Sequence, residues 1–203
     1  MPGSAPTAHS LAEAHLLATV SLCDDCFTRG LLVTESCIAG HGPAAALQLV
    51  AECGACAKKT RMVLRIDPND PASYRSEFVQ RIPFVINPTS RASEIIDVAE
   101  WLTLYRMAVE TAESIRDRSM ARAVRIEAGQ CVAEALKLFE PDNDVPPDSA
   151  FFSAESLERF RAHPDRFARQ RLIALANGLP TSMVQPPAPI SLNRPPGTKW
   201  WMP

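Results

Sequence analysis

The stretch Cys23-Asp24-Asp25-Cys26, answered downstream by Cys53-Gly54-Ala55-Cys56, decides how this chain is read. A Cys-x-x-Cys pair sets two sulfurs within reach of one ion across a tight turn, and two pairs supply the four thiolates of a closed tetrahedral site. The loop between them is longer than the roughly 15–20 residues of the commonest spacing, but stays within the usual range for zinc modules. Four sulfurs alone do not choose the metal: zinc is the expected ion, and iron uses the same donors. A redox dithiol would sit at a helix start in a βαβ pattern, which the flanks of neither pair suggest. Two disulfides would need an oxidising compartment.

Short apolar runs flank both pairs: His15 to Leu22 and Leu31 to Thr34 around the first, Ala46 to Ala51 and Met62 to Ile66 around the second. Such runs on either side of a turn predict that each pair sits at the tip of a β-hairpin. Two metal-tipped hairpins facing each other make a ribbon, and residues 11–66 resemble zinc-ribbon proteins in general. The resemblance covers about a third of the chain and implies a structural Zn2+ held by Cys23, Cys26, Cys53 and Cys56. The pattern departs from the common one where glycine often follows the second cysteine of a pair, because Phe27 and Ala57 stand there. Cys37 and His41, in the Gly/Pro-rich connection between the hairpins, are alternative ligands. They are read instead as a buried thiol and a loop imidazole, since four better-spaced cysteines already fill the site.

Around this module, 203 residues with 46% hydrophobic content allow one domain or two small ones. The formal net charge of −2 gives no bulk attraction to nucleic acid or an anionic membrane. No apolar run approaches the roughly 20 residues that span a bilayer. The start of the chain lacks a basic segment followed by an apolar one, so the expected location is cytoplasmic. The expected class is α+β: a zinc β-ribbon at 11–66, a linker and edge segment at 67–89, a helical domain at 90–178 and an extended Pro-rich tail at 179–203. Residues 1–10, small and polar, are expected to be disordered. The linker opens on the turn signal Asp67-Pro68-Asn69-Asp70-Pro71. A short helix at 73–80 and an edge strand at 82–86, carrying Pro83, follow.

In the helical region Ser90 is the candidate N-cap. Ile95, Val98, Leu102, Tyr105, Val109 and Ala112 recur in steps of three and four and predict an apolar face, with Trp101 beside it. Polar residues around Arg116 to Ser119 mark either a bend or the exposed middle of one long helix. A second stripe through Met120, Ala123, Val124, Ala128, Cys131, Ala135, Leu138 and Phe139 ends before Pro141, which predicts an antiparallel α-hairpin with Cys131 in its core. The acidic loop from Glu140 to Ser149 lacks the Gly and terminal Glu of a calcium loop and reads as a solvated turn. Ser153 starts a short helix to Ala162, and another begins at Asp165 and ends at Asn177-Gly178. Arg159, Arg161, Arg166, Arg169 and Arg171 make this the most basic segment, read as a solvated helix face.

No catalytic constellation stands out. His9, His15, His41 and His163 are scattered, and no nucleophile elbow, phosphate loop or dinucleotide fingerprint is present. The expected function is therefore a non-enzymatic zinc-binding adaptor or assembly protein with a protein partner. Trp200 and Trp201 in the tail are expected to dock into an apolar groove, either back on this chain's helical domain or on that partner as an aromatic anchor. The alternative is nucleic-acid binding through Lys58, Lys59 and Arg61, which follow the second pair. Those cations would also offset the charge of a four-thiolate centre, and the acidic balance of the chain disfavours the alternative.

Overall fold

Ser10 starts the first helix. Its Oγ accepts from the Glu13 backbone N–H at 2.9 Å, and α1 runs Leu11–Val20. The run from His15 to Leu22, expected as a strand, is thus mostly helical. An alanine-rich sequence behind a serine cap favours a helix, and a short apolar run by itself does not separate a buried helix from a strand. The computed structural model describes residues 6–40, 45–66 and 85–183. His41, the expected elements at 73–80 and 82–84, and the pair Trp200 and Trp201 lie outside the described residues.

Four strands form one sheet: β1 Thr7–Ala8, β2 Leu31–Ala39, β3 Ala46–Cys53 and β4 Lys59–Ile66, in the order β1-β4-β3-β2. β2, β3 and β4 pair antiparallel, and β1 adds a parallel edge beside β4. Residues 6–10, expected to be disordered, are therefore ordered. The Arg65 N–H donates to the Pro6 carbonyl at 3.1 Å and extends the edge. Alternation sorts the two faces. Leu31, Leu47, Leu49, Ala51, Cys53 and Leu64 are buried, while Gln48, Arg61, Val63 and Arg65 face outward. A register shift between Val33 and Glu35 turns β2 over, so Cys37 comes to the exposed face, not into the core as expected.

The expected antiparallel α-hairpin is present as α2, Val98–Ser114, packed along α3, Arg118–Lys137. Its start is at Asp97, not near Ser90. Asp97 and Glu100 make a reciprocal capping box, each side chain accepting from the other's backbone N–H. The bend at Ile115 uses neither Gly nor Pro. Ile115 is extended, and Asp117 recaps the chain by accepting from the Met120 N–H at 2.8 Å. The face of α2 that reaches the core centres on Trp101 and Leu104. Ile95, Val98 and Ala112 of the expected stripe are buried, while Leu102, Tyr105 and Val109 are only half-buried, so the middle of the buried face is rotated from the expected one. Of the second stripe, Ala123, Ala128, Cys131, Ala135 and Phe139 are buried, and Met120 is exposed. Burial pushes the Cys131 thiol strongly upward, as suits a core residue. α4, Ala154–Ala162, capped by Ser153, and α5, Arg169–Asn177, close the fold.

Leu47, Leu49 and Leu64 of the sheet share one buried cluster with Val98, Trp101, Val132 and Leu172 of the helices. A polar strap beside it ties the first residues of the fold to the segment before α2. The His9 N–H donates to Glu13 Oε2 at 2.5 Å, Ser10 Oγ donates to the Ile86 carbonyl, and the Thr7 N–H donates to Glu94. His9 Nε2 lies 3.0 Å from the Ala92 carbonyl and Nδ1 lies 3.3 Å from an Arg91 nitrogen, which together require the Nε2–H tautomer. Asn87 links this segment to α3 through Glu134 at 3.0 Å, and Lys137 holds the same carboxylate at 2.7 Å. Burial raises the pKa of both Glu13 and Glu134.

Two outcomes test this packing. Leu104→Ala should cost about 2–5 kcal/mol, as for a buried leucine, and Leu102→Ala clearly less. Urea unfolding of the full chain reads both, and equal losses would contradict the rotated face. Glu100 is the second case: burial, and then the neighbouring Asp97 carboxylate, raise its pKa from 4.5 to about 7. Between those values the folded state keeps a proton that the unfolded chain has lost, so stability falls as pH rises through this window. Glu100→Gln keeps an acceptor for the capping box. It should gain on the parent by on the order of 1–2 kcal/mol between pH 4.5 and 7 after screening, and a pH-independent difference would contradict the burial of this carboxyl.

Candidate metal centre

The two Cys-x-x-Cys turns reach the same point from different supports. Cys53–Cys56 forms the tip of the β3–β4 hairpin, with Glu52 paired to Lys59 just below. Cys23–Cys26 links α1 to β2, and the expected first hairpin is reduced to a single bridge between Leu22 and Arg29. Despite these different flanks, the turns carry one hydrogen-bond pattern. Cys23 N–H donates to the Thr28 carbonyl and Phe27 N–H to the Cys23 carbonyl, both at 2.9 Å. Cys53 N–H donates to the Lys58 carbonyl at 2.9 Å and Ala57 N–H to the Cys53 carbonyl at 2.8 Å. Phe27 at φ 56° and Ala57 at φ 58° both adopt the left-handed conformation that glycine commonly supplies at this point. Each accepts a cost of about 1–2 kcal/mol to do so.

The four sulfurs lie within 4.8 Å of one another. Cys23 and Cys56 are 3.6 Å apart, and Cys26 and Cys53 are 3.5 Å apart. These separations are far beyond the roughly 2 Å of a disulfide. A tetrahedral ion with metal–sulfur bonds of about 2.3 Å has sulfur–sulfur edges of about 3.8 Å, so the donor set fits such an ion in number, chemistry and spacing. Cys23 and Cys53 are buried against Ala18, Leu31 and Ala51, while Cys26 and Cys56 are exposed. The cluster can hold a metal ion.

Cys26 and Cys56 differ as acids. The Thr28 hydroxyl, and then its N–H, draw the Cys26 thiol down to about 6. At Cys56 the Lys58 N–H favours the thiolate, but the other three sulfurs and desolvation outweigh it, and the thiol is pushed up to about 12.

The other expected residues fall elsewhere. Cys37 is exposed on β2, and it does not join the cluster. His15 sits half-buried on α1, where burial lowers its pKa, and it does not join either. Lys58 pairs with Asp25 at 3.2 Å and Lys59 with Glu52 at 3.9 Å, while Arg61 is exposed on β4. The polar strap of His9, Ser10, Glu13 and Glu134 is absent from the sequence reading. Its one local signal was Ser10-x-x-Glu13 ahead of an apolar run. Among the described residues no helix is long and apolar enough to cross a membrane.

Comparison of the chain with known protein families, with curated proteins and with solved structures yields no significant match. The chemistry of the site therefore rests on its own geometry.

Purified protein should carry about one zinc ion per chain, the stoichiometry of a four-thiolate site. Serine at Cys23, Cys26, Cys53 or Cys56 should lower that content and destabilise the sheet, because binding free energy in such sites is folding free energy. Cys37→Ser should leave both unchanged. Elemental analysis with thermal unfolding checks this, and full zinc retention in Cys53→Ser would refute the ligand set.

Proposed function

We propose that this chain is a non-enzymatic zinc-binding adaptor or assembly protein, in which Zn2+ has a structural role and the helical layer presents the surface for a protein partner. The observation that carries the reading is the closure of the site. Four cysteines satisfy a tetrahedral ion completely, leaving no coordination position for a water or substrate to be activated. The ion joins α1, β2 and the β3–β4 hairpin, so its contribution is to the shape of the N-terminal half. A reducing cytoplasm suits this reading, since the thiols must persist as ligands. Trp200 and Trp201 remain the aromatic anchor proposed for the partner. The nucleic-acid alternative has less support at the cations first named for it, because Lys58 and Lys59 are engaged with Asp25 and Glu52.

Cobalt substitution tests the structural role. A four-sulfur tetrahedral spectrum that is indifferent to added anions is expected, and an open position would appear as a spectrum that shifts on anion binding. The adaptor role is tested with a tagged full chain expressed in its own cells. Co-purified proteins are identified and then reconstituted from purified components, with and without residues 199–203. A stoichiometric complex weakened by that deletion or by Cys53→Ser supports the reading. Absence of binding by every purified candidate counts against it.

A further inference from the structure

Sequence proximity suggested one basic helix face at the end of the chain, but the fold divides those arginines into two groups. Arg161 points away and pairs with Asp148 at 2.7 Å. Arg169 is consumed by the turn before α4: it lies over the Phe139 ring at 5.0 Å and donates to the Asn143 carbonyl at 2.8 Å and to the Glu140 carbonyl. Arg159, Arg166 and Arg171 turn instead into a cleft of about 750 Å3, where Arg29 from the first cysteine turn and Arg106 from α2 meet them. Five separate segments of the chain thus deliver one guanidinium group each to one concavity.

Their charge is poorly matched. Glu155 is the single carboxylate in the cleft wall and pairs with Arg29 at 2.8 Å. Among the described residues Arg159 donates to the Thr103 hydroxyl, at 3.4 Å, and makes no ion pair. Among the described residues no ion pair engages Arg106, Arg166 or Arg171. Asp97, whose oxygens accept from the backbone N–H groups of Glu100 and Phe152, lies close enough to favour the charged form of Arg159 but makes no ion pair with it. Burial, and then the proximity of Arg106 and Arg29, disfavours the charged form of Arg159 against the opposing pull of Glu155 and Asp97. Such crowding costs folding free energy, and an anion in the cleft would recover it.

From this convergence we propose that the cleft binds a small organic ligand carrying a pyrophosphate or comparable run of phosphates. Guanidinium groups match phosphate oxygens through paired N–H donors. Several unmatched guanidinium groups suit a ligand of several negative charges better than a single phosphate. The volume lies in the range of small-molecule sites, and the Tyr105 and Phe167 rings with Leu102 and Leu175 give the organic part an apolar wall. The site is distinct from the cysteine cluster and adds a ligand to the adaptor reading.

The test is calorimetric titration of the zinc-loaded full chain with inorganic pyrophosphate, with orthophosphate and a mixed-sequence single-stranded oligonucleotide run alongside at about 150 mM salt, where loose ionic contacts are screened. Pyrophosphate should bind more tightly than orthophosphate. Arg166→Gln and Arg171→Gln, both at exposed positions, should each weaken it by at least about tenfold, the scale of a charge-assisted hydrogen bond. Glu155→Gln, which removes the competing carboxylate, should tighten it. Arg161→Gln, outside the cleft, should have no effect. Circular dichroism and zinc content verify that each variant is folded. Absence of pyrophosphate binding, or binding indifferent to Arg166 and Arg171, overturns the proposal. So does an oligonucleotide that depends on the same arginines and binds far more tightly than pyrophosphate, which would make the cleft a nucleic-acid surface.

Discussion

Four cysteine sulfurs within 4.8 Å of one another form a donor set that can hold a metal ion, and bringing them together organises the N-terminal half. The sulfurs come from the end of α1, the start of β2 and the turn of the β3–β4 hairpin. Placing them together fixes where the helix stops, where the hairpin reverses and how far the strands slide. The backbone yields to this demand. Phe27 and Ala57 take left-handed conformations that their side chains disfavour, at matching places in the two turns.

A sheet of three main strands with one covered face needs something to cover it. α1 and the Trp101 face of α2 do so, and the polar strap fixes their placement. Through Thr7, His9, Ser10 and Glu13 the beginning of the fold reaches β4 on one side and residues 86–94 on the other. Buried carboxylates at Glu13 and Glu134 carry a desolvation cost, and a network of this kind is worth having only when its members are joined. Apolar packing supplies the attraction between sheet and helices, and the strap supplies their register.

The parts legible in the sequence were those set by local rules. The cysteine spacing, the β3–β4 hairpin, the helical pair, the Ser153 cap and the Asn177-Gly178 stop each follow from residues close together in the chain. α1 was misread because His15 to Leu22 is short and apolar on all sides, so that its period does not discriminate, while Ser10 and Glu13 were not taken together. The buried stripe of α2 was shifted by a position because spacing defines an apolar arc but not which edge of it meets the core, and the bulk of Trp101 decided that. β1 is two residues long and exists only through its pairing with β4. The arginine cleft was invisible for a related reason: Arg29 and Arg106 are far in sequence from Arg159, Arg166 and Arg171, and only the tertiary fold adds them together.

The equivalence of the two cysteine turns has a consequence for a chain that emerges from the ribosome in order. The first turn is complete once Thr28 is out, because its internal hydrogen bonds involve no later residue. It then offers two sulfurs and nothing more. β2 and β3 must follow before Cys53 and Cys56 can join the first pair. Closing that loop costs chain entropy that grows only slowly with its length, and the antiparallel pairing of β2 with β3 lowers it further by bringing the second turn back alongside the first. The order of the strands thus sets the moment at which the four-sulfur donor set is complete.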